Sequence, residues 1–267
     1  MLRYRPTELL AVDEENFEVE IVDIDATHKA VIIDNFYKNP YEIREFILST
    51  PVPIWKNTHD GLNWKEYYDC RHQLLHFDNA PWAEAIYRLI IEHYTPHIDP
   101  FPSPPFITNV FQWIVDQPKN SVGNRVHADG RIELFDKEGK ELETADYEGS
   151  YADNIFFNTP NECHGGTAIY KSKMFNSIFV EGMEKEYVEY MEGEDVHRGE
   201  VGAQYYDTEW EKFWTIQKIL PMKFNRCVMY DGGLFHGAYH VDNNFKKFPR
   251  LGQAVFTKIN PEITAIP

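Results

Sequence analysis

Residues 106–115 read Phe-Ile-Thr-Asn-Val-Phe-Gln-Trp-Ile-Val, a run of β-branched and aromatic residues that predicts a strand. Similar short runs follow it, separated by Gly, Asn, Asp and Pro, at residues 154–158, 166–170, 225–230 and 250–258. Many short strands divided by turn residues are typical of a β-sandwich or jelly roll. We therefore predict a mainly β protein with a jelly roll, or double-stranded β-helix, over residues 106–258.

The preceding part of the chain, residues 1–105, has a mixed pattern that predicts an α/β support region within the same single domain (residues 1–267). Residues 30–36 have the composition of a buried strand. Apolar side chains at three- and four-residue steps predict helices over residues 39–50, with Asn39 as the N-cap and Pro40 in the first turn, and over residues 81–94. We expect both helices to support the outer face of one sheet.

Two acidic stretches, residues 130–150 and 181–212, interrupt the predicted strands. Such charge runs usually form solvated surface, although loops that flank a site are the alternative. We predict insertions into the jelly roll at residues 130–150 and 175–215. Aromatic residues at helical steps predict a helix from Tyr205 to Ile219 in the second insertion.

The charge and cysteine content exclude several classes of protein. The chain of 267 residues has 26 basic and 43 acidic residues and a net charge of −17, which disfavours nucleic acid and anionic membranes as partners. No apolar run is long enough to span a bilayer, and the first residues lack the apolar stretch of a secretory signal. Cys70, Cys163 and Cys227 form neither a disulfide framework nor a zinc motif. We expect a cytoplasmic protein, and the sequence leaves a homodimer open.

His127 and Asp129 follow the first strong β run and precede several more. Because residues i and i+2 of a strand point to the same face, both side chains could bind one metal ion. Three other His-x-Asp pairs are found at His76/Asp78, His97/Asp99 and His240/Asp242. The first precedes a helix that its Asp can cap, the second lies in a proline-rich loop, and the third has no later set of strands.

Two glycine pairs and one arginine complete the pattern. Paired glycines at 165–166 lead into a strand, and a second pair at 232–233 forms a tight turn before His236. The last predicted strand begins with Arg250.

This order of pieces resembles the Fe(II)- and 2-oxoglutarate-dependent oxygenases, in particular the prolyl-hydroxylase-like branch. The resemblance implies that His127, Asp129 and His236 bind Fe(II) and that Arg250 binds the distal carboxylate of the co-substrate 2-oxoglutarate. It also implies an oxidoreductase, a dioxygenase that hydroxylates an amino-acid, peptidyl or other small-molecule substrate with release of succinate and CO2. The hydroxyl residue that often stands two places after the basic residue is here Gly252.

The chemistry explains why these residue types are needed. Two imidazoles and one carboxylate on one side of a metal leave other positions open, which is the arrangement of non-heme iron oxygenases. A guanidinium group stays charged and can bind a carboxylate through two hydrogen bonds.

Each candidate residue also has a structural interpretation. His127 and Asp129 can be a hydrogen-bonded pair, and His236 can be a core histidine. Arg250 can form a surface ion pair, because Lys246 and Lys247 lie nearer to the usual spacing after the distal histidine. Three further residues are candidates for the site: His164 as a ligand, and Asn109 or Gln112, on opposite faces of the first strand, as lining residues.

Two other functions remain open at this level. A cupin-like metal protein, acting as an isomerase or as a dioxygenase without 2-oxoglutarate, would use the same jelly roll. Cupins typically have a His-x-His pair, and this sequence contains none. The second alternative is a non-catalytic binding module, because the fold alone does not determine function.

Overall fold

The computed structural model describes residues 6–49, 70–74, 81–95, 106–114, 126–129, 134–135, 141–142, 150–180, 214–240 and 249–258. The α-helices of this part are α1 (Pro6–Leu9), α2 (Pro40–Ser49) and α3 (Pro81–His93), and short 3-10 helices cover Glu14–Asn16 and Pro160–Glu162. The strands are β1 (Glu18–Asp23), β2 (Lys29–Asp34), β3 (Cys70–Leu74), β4 (Phe106–Ile114), β5 (Leu134–Phe135), β6 (Glu141–Leu142), β7 (Ser150–Phe156), β8 (Gly165–Ser172), β9 (Trp214–Pro221), β10 (Arg226–Asp231), β11 (His236–His240) and β12 (Arg250–Lys258).

A large antiparallel sheet has the strand order β1-β2-β10-β7-β12-β4-β3. Strands from the N-terminal region, β1, β2 and β3, therefore form both edges of a sheet whose centre, β10-β7-β12-β4, comes from residues 106–258. The central strand β7 pairs with β10 on one side and with β12 on the other. The N-terminal region is thus continuous with the predicted core.

A smaller antiparallel sheet has the order β11-β8-β9, with a register irregularity between Ile169 and Tyr170. The segment of residues 126–129 joins its free edge through a β-bridge between His127 and His236. Strands β5 and β6 form a separate pair.

Side chains alternate between the two faces of the large sheet, and each face packs against a different layer. One face, here called the helix face, packs against α2 and α3; its core includes Ile43, Ile47, Trp82, Ile86, Ile90, Val31, Ile33, Phe111, Ile155, Met229 and Val255. The opposite face, here called the inner face, packs against the small sheet; this core includes Ala30, Ile32, Ala152, Phe156, Val228, Tyr230, Ile169 and Leu220. Helices, large sheet and small sheet therefore form three layers.

The structure confirms both predicted helices. Helix α2 begins at Pro40, and the carbonyl oxygen of Asn39 accepts hydrogen bonds from the backbone N–H groups of Glu42 and Ile43. Helix α3 begins at Pro81, and both helices pack on the helix face as expected. The strand predicted over residues 30–36 ends at Asp34, because Asn35 takes a left-handed backbone conformation with φ of 61° that breaks the strand.

The helix predicted from Tyr205 to Ile219 is wrong over its described part. Residues from Trp214 onward form β9, which pairs with β8. Burial alternates along this strand, with Trp214 and Leu220 buried and Thr215 and Ile219 exposed. That is a strand period. Four residues indicated the helix: Trp214 and Ile216 lie in β9, and Trp210 and Phe213 lie outside the described residues.

The described part of the protein is mainly β, with antiparallel sheets and two helices of more than one turn. Most of the two acidic stretches, residues 130–150 and 181–212, lies outside it. Within that part, no helix has both the length and the apolar character needed to cross a bilayer.

Candidate metal centre

The side chains of His127, Asp129 and His236 meet at one end of the space between the two sheets. One potential ligand atom from each lies within 4.8 Å of the others. Nε2 of His236 is 3.0 Å from Oδ2 of Asp129, and Nε2 of His127 is 3.5 Å from Oδ1 of the same carboxylate. The structure thus brings together the three residues that the sequence proposed as metal ligands.

Backbone hydrogen bonds hold the segment of residues 126–129 against the β10–β11 region. The N–H of His127 donates to the carbonyl of His236 at 2.9 Å, and the N–H of His236 donates to the carbonyl of His127 at 2.7 Å. The N–H of Asp129 donates to the carbonyl of Gly232 at 2.7 Å. The positions of all three side chains are therefore set by strand pairing.

The turn between β10 and β11 needs its glycine pair because other groups approach it closely. A Cβ atom at residue 232 would lie 2.6 Å from the carbonyl oxygen of Asp129, and one at residue 233 would lie 2.6 Å from the ring of Phe179. The carboxylate of Asp231 closes the turn by accepting a hydrogen bond from the N–H of Gly233 at 2.9 Å. This turn therefore lets the Asp129 backbone pack directly on the loop that leads to His236.

A backbone carbonyl selects the tautomer of His236. Nδ1 of its ring lies 2.8 Å from the carbonyl oxygen of Leu234. A carbonyl oxygen can only accept, so Nδ1 carries the proton and Nε2 is the atom that faces Asp129 and can bind a metal. The ring of Tyr230 packs edge-on against this imidazole at a centroid distance of 4.8 Å, which further restricts its orientation.

The electrostatics of the site favour an ionised carboxylate. Desolvation raises the pKa of Asp129, but the charges of His236 and His127 and a hydrogen bond from His236 outweigh it, so the pKa lies below its ordinary value. The side chain of Asp129 remains about one-fifth exposed (20%). Two imidazoles around an ionised, partly accessible carboxylate can hold a divalent cation.

Arg250 lies inside the protein, between the two sheets. It is 3% exposed, and its Nη1 donates to the carbonyl of Gly166 at 3.2 Å. Its guanidinium carbon stands 5.3 Å from the ring centroid of Phe156. A surface ion pair, the alternative that the sequence left open, does not describe this side chain, whereas Lys246 and Lys247 lie outside the described residues.

Two polar side chains of the inner face, the buried Tyr230 and the partly buried Asn154, lie on the neighbouring strands β10 and β7. The hydroxyl oxygen of Tyr230 accepts a hydrogen bond from Nδ2 of Asn154 at 3.1 Å. Burial raises the pKa of Tyr230 well above its ordinary value, Asp129 and Asp153 raise it further, and Arg250 lowers it. Tyr230 is therefore within electrostatic reach of both the candidate metal ligands and Arg250.

Sequence reasoning did not find Tyr230, Asn154 or Thr167. Thr167 is 2% exposed and stands on the face of β8 that turns toward the large sheet, as Ile169 and Leu220 do. The alternation of side chains along β7, β8 and β10 indicates which residues share a face. Only the pairing of the strands shows which of the two faces is the inner one.

The remaining sequence candidates lie away from the three ligands or outside the described residues. Asn109 faces the helix side, where it accepts a hydrogen bond from Nε2 of Gln253 at 3.2 Å. His164 lies in the turn before β8, and its Nε2 contacts the carbonyl of Asn161 at 3.1 Å. Gln112 and the other His-x-Asp pairs have side chains that the structure does not describe: His76/Asp78, His97/Asp99 and His240/Asp242.

Comparison with known proteins gives few relatives. The model of a family of unknown function (DUF6445) matches residues 147–253, a segment that includes His236 and Arg250 but not His127 or Asp129. No curated protein matches the chain. Among solved structures, HygX from Streptomyces hygroscopicus with nickel and 2-oxoglutarate bound is similar at 12% identity and a TM-score of 0.40, over 86% of this chain and 82% of that one. A similarity of that size assigns this chain no activity, ligand or residue role.

Proposed function

We propose that the protein is an Fe(II)- and 2-oxoglutarate-dependent oxygenase that hydroxylates an amino-acid, peptidyl or other small-molecule substrate. One observation carries the proposal. The structure groups the ligand atoms of His127, Asp129 and His236 within 4.8 Å and places the buried cation of Arg250 between the same two sheets.

The path of the chain supports a double-stranded β-helix as the fold. From β4 onward the chain passes from the large sheet to the 126–129 segment on the small sheet, back to β7, and then to β8 and β9 of the small sheet. It returns to the large sheet with β10, to the small sheet with β11 and to the large sheet with β12. Such alternation of consecutive strands between two facing sheets is what a jelly roll requires.

The donor set fits Fe(II). Two imidazole nitrogens and one carboxylate, with no thiolate in the group, match the ligand type and number of non-heme iron oxygenases. The hydrogen bond from Nδ1 of His236 to the Leu234 carbonyl is the outer-shell contact that metal-binding histidines commonly make.

The interior also fits a dicarboxylate co-substrate. A buried carboxylate needs a paired charge, and Arg250 offers a guanidinium that is itself buried. Iron and 2-oxoglutarate together would supply the oxidation of a C–H bond by O2, with succinate and CO2 as the other products. Asp129 and the two histidines would hold the metal, Arg250 would orient the distal carboxylate, and Tyr230 would keep the His236 ring in place.

Binding of 2-oxoglutarate to the iron-loaded protein under anaerobic conditions tests the proposal. We expect one Fe(II) per chain and 2-oxoglutarate binding that requires the metal, followed by slow succinate formation when air is admitted. Iron binding without 2-oxoglutarate binding would favour a cupin-like metal protein. Absence of iron binding would favour a non-catalytic module.

Arg250→Ala separates the two parts of the site. Iron binding should stay near that of the wild type, whereas the affinity for 2-oxoglutarate should fall about a hundredfold, since the variant leaves a buried carboxylate unpaired. Lys246→Ala and Lys247→Ala are the controls and should change little if these lysines are solvated. The reverse result would move the co-substrate anchor from Arg250 to a lysine.

A further inference from the structure

The last strand supplies no hydroxyl group beside Arg250. The inner-face position two residues after Arg250 is Gly252, which pairs with Phe156 of β7. A Cβ atom at residue 252 would lie 3.2 Å from the carbonyl oxygen of Ile155, closer than most real side chains approach a backbone oxygen. The tight approach of β7 therefore disfavours a serine or threonine at this position.

The facing strand places a hydroxyl group at the same end of the inner space. Thr167 is 2% exposed, and its Oγ1 has no hydrogen-bond partner among the described residues. A buried hydroxyl without a protein partner is unfavourable, so such groups commonly bind a ligand or a water molecule. Thr167 is thus a buried residue on the inner face whose hydroxyl can donate a hydrogen bond to a bound molecule.

Backbone contacts tie Thr167 to Arg250. The guanidinium of Arg250 donates to the carbonyl of Gly166, the residue immediately before Thr167. A Cβ atom at residue 166 would overlap the carbonyl oxygen of Leu220, so the glycine lets β8 lie closely against β9. The strand that carries the hydroxyl is therefore held by two contacts of Gly166: its hydrogen bond with the guanidinium and its close approach to β9.

We infer that Thr167 donates a hydrogen bond to the distal carboxylate of 2-oxoglutarate beside Arg250, in place of the hydroxyl that Gly252 cannot provide. The inference rests on the proposed function and adds a specificity-determining residue to it. A carboxylate accepts hydrogen bonds from a hydroxyl and a guanidinium at the same time. A 2-oxo acid that lacks the distal carboxylate gives Thr167 nothing to bind, so the residue selects for a dicarboxylate.

The test compares two probes on the metal-loaded protein under anaerobic conditions by calorimetry. The probes are 2-oxoglutarate and 2-oxopentanoate, which share the 2-oxo acid end and differ in the distal carboxylate. Thr167→Val removes the hydroxyl at nearly constant volume, and Thr167→Ser keeps it. Thr257→Val is the matched control, because Thr257 is also buried with an unpartnered Oγ1 but lies on the helix face.

We expect Thr167→Val to weaken 2-oxoglutarate binding at least about tenfold, the usual effect of losing a hydrogen bond to a charged group, and to leave 2-oxopentanoate unchanged. Thr167→Ser should stay within about threefold of the wild type, and Thr257→Val should match it with both probes. If Thr167→Val does not fold, as judged by its thermal transition, Thr167→Ala serves the same comparison.

Equal 2-oxoglutarate affinities for the wild type and the Thr167→Val or Thr167→Ala variant would overturn the inference and leave the proposed function standing. An equal loss for both probes would also overturn it, because the residue would then act at the shared end or through the fold. Failure of the metal-loaded wild type to bind 2-oxoglutarate would reject the proposed function itself.

Discussion

The two faces of the large sheet are formed by the same strands but differ in the surroundings of their polar side chains. On the helix face, polar groups are enclosed by apolar side chains, and three of them bind one another: the Tyr37 hydroxyl donates to Oε1 of Gln253 at 2.7 Å, and Nε2 of Gln253 donates to Asn109. On the inner face, Asn154, Tyr230 and Arg250 line the space that leads to the histidines. The polar groups of the helix face are enclosed by apolar side chains, whereas those of the inner face point into the space between the two sheets.

Two aspartates make the contrast sharp. Asp153, on the helix face, is 1% exposed, and neither carboxyl oxygen has a hydrogen-bond partner among the described residues. Burial raises its pKa well above the ordinary value, so this carboxyl holds its proton, whereas the imidazoles beside Asp129 keep that group ionised. The groups around an acid, rather than the residue type, therefore determine its chemistry.

The largest expected effect comes from breaking the helix face. Trp82→Ala removes a buried ring between α3 and the large sheet and should lower the free energy of unfolding by about 3–5 kcal/mol. Chemical denaturation gives the stability, and calorimetry gives the metal affinity of the folded fraction. Metal affinity should stay unchanged, and a loss of metal binding at unaltered stability would show that the two faces do not act separately.

The next prediction compares the alanine variants of the two aspartates. Asp129→Ala removes the anionic ligand and should weaken Fe(II) binding roughly a hundredfold, on the scale of losing a charge-assisted contact, with equilibrium dialysis as the measurement. Asp153→Ala, on the helix face, is the control and should bind iron like the wild type. Equal iron affinities for the wild type and the Asp129 variant would remove Asp129 from the metal site.

A pH series on Asp153→Asn tests the buried proton. Above the ordinary carboxyl pKa, near 4, the unfolded chain loses this proton and the folded protein keeps it. The free energy of unfolding of the wild type should therefore fall relative to that of Asp153→Asn as the pH rises, by up to about 1.4 kcal/mol per pH unit until the raised pKa is reached. Denaturation curves measured at increasing pH from the ordinary carboxyl pKa upward provide the measurement. A difference that is constant with pH would mean that Asp153 is ionised in the folded protein.

The smallest effects come from the two tyrosines. Tyr37→Phe leaves the buried oxygen of Gln253 without its donor and should cost about 1–2 kcal/mol of stability. Tyr230→Phe removes only an acceptor for the partly buried Asn154 and should cost less than about 1 kcal/mol. Thermal unfolding of both variants shows which one loses more stability. A larger loss for Tyr230→Phe would contradict the proposal that the inner face binds a ligand.

Local pattern predicts the elements whose composition or apolar spacing is regular along their length. The strands β4, β10 and β12 and the helices α2 and α3 were found close to their observed ends, because their composition and apolar spacing are local properties. Strand β1 is not among the predicted elements, although Val19 and Ile21 alternate with Glu18 and Glu20 at the period of a strand. Strand β9 was taken for part of a helix because its alternation becomes clear only from Trp214 onward.

The sequence by itself determined which residues are candidates for the site: a His-x-Asp pair after a strand, a histidine after a glycine turn and an arginine that opens the last strand. These are local features, because a tight turn needs its glycines and a strand its composition whatever the strand pairs with. Only the tertiary structure decided which side chains meet. Arg250 donates to the carbonyl of Gly166, Tyr230 packs against His236, and Asp153 is buried because strands distant in sequence pair in one register. That register fixes which face each residue takes, and no single strand contains the information.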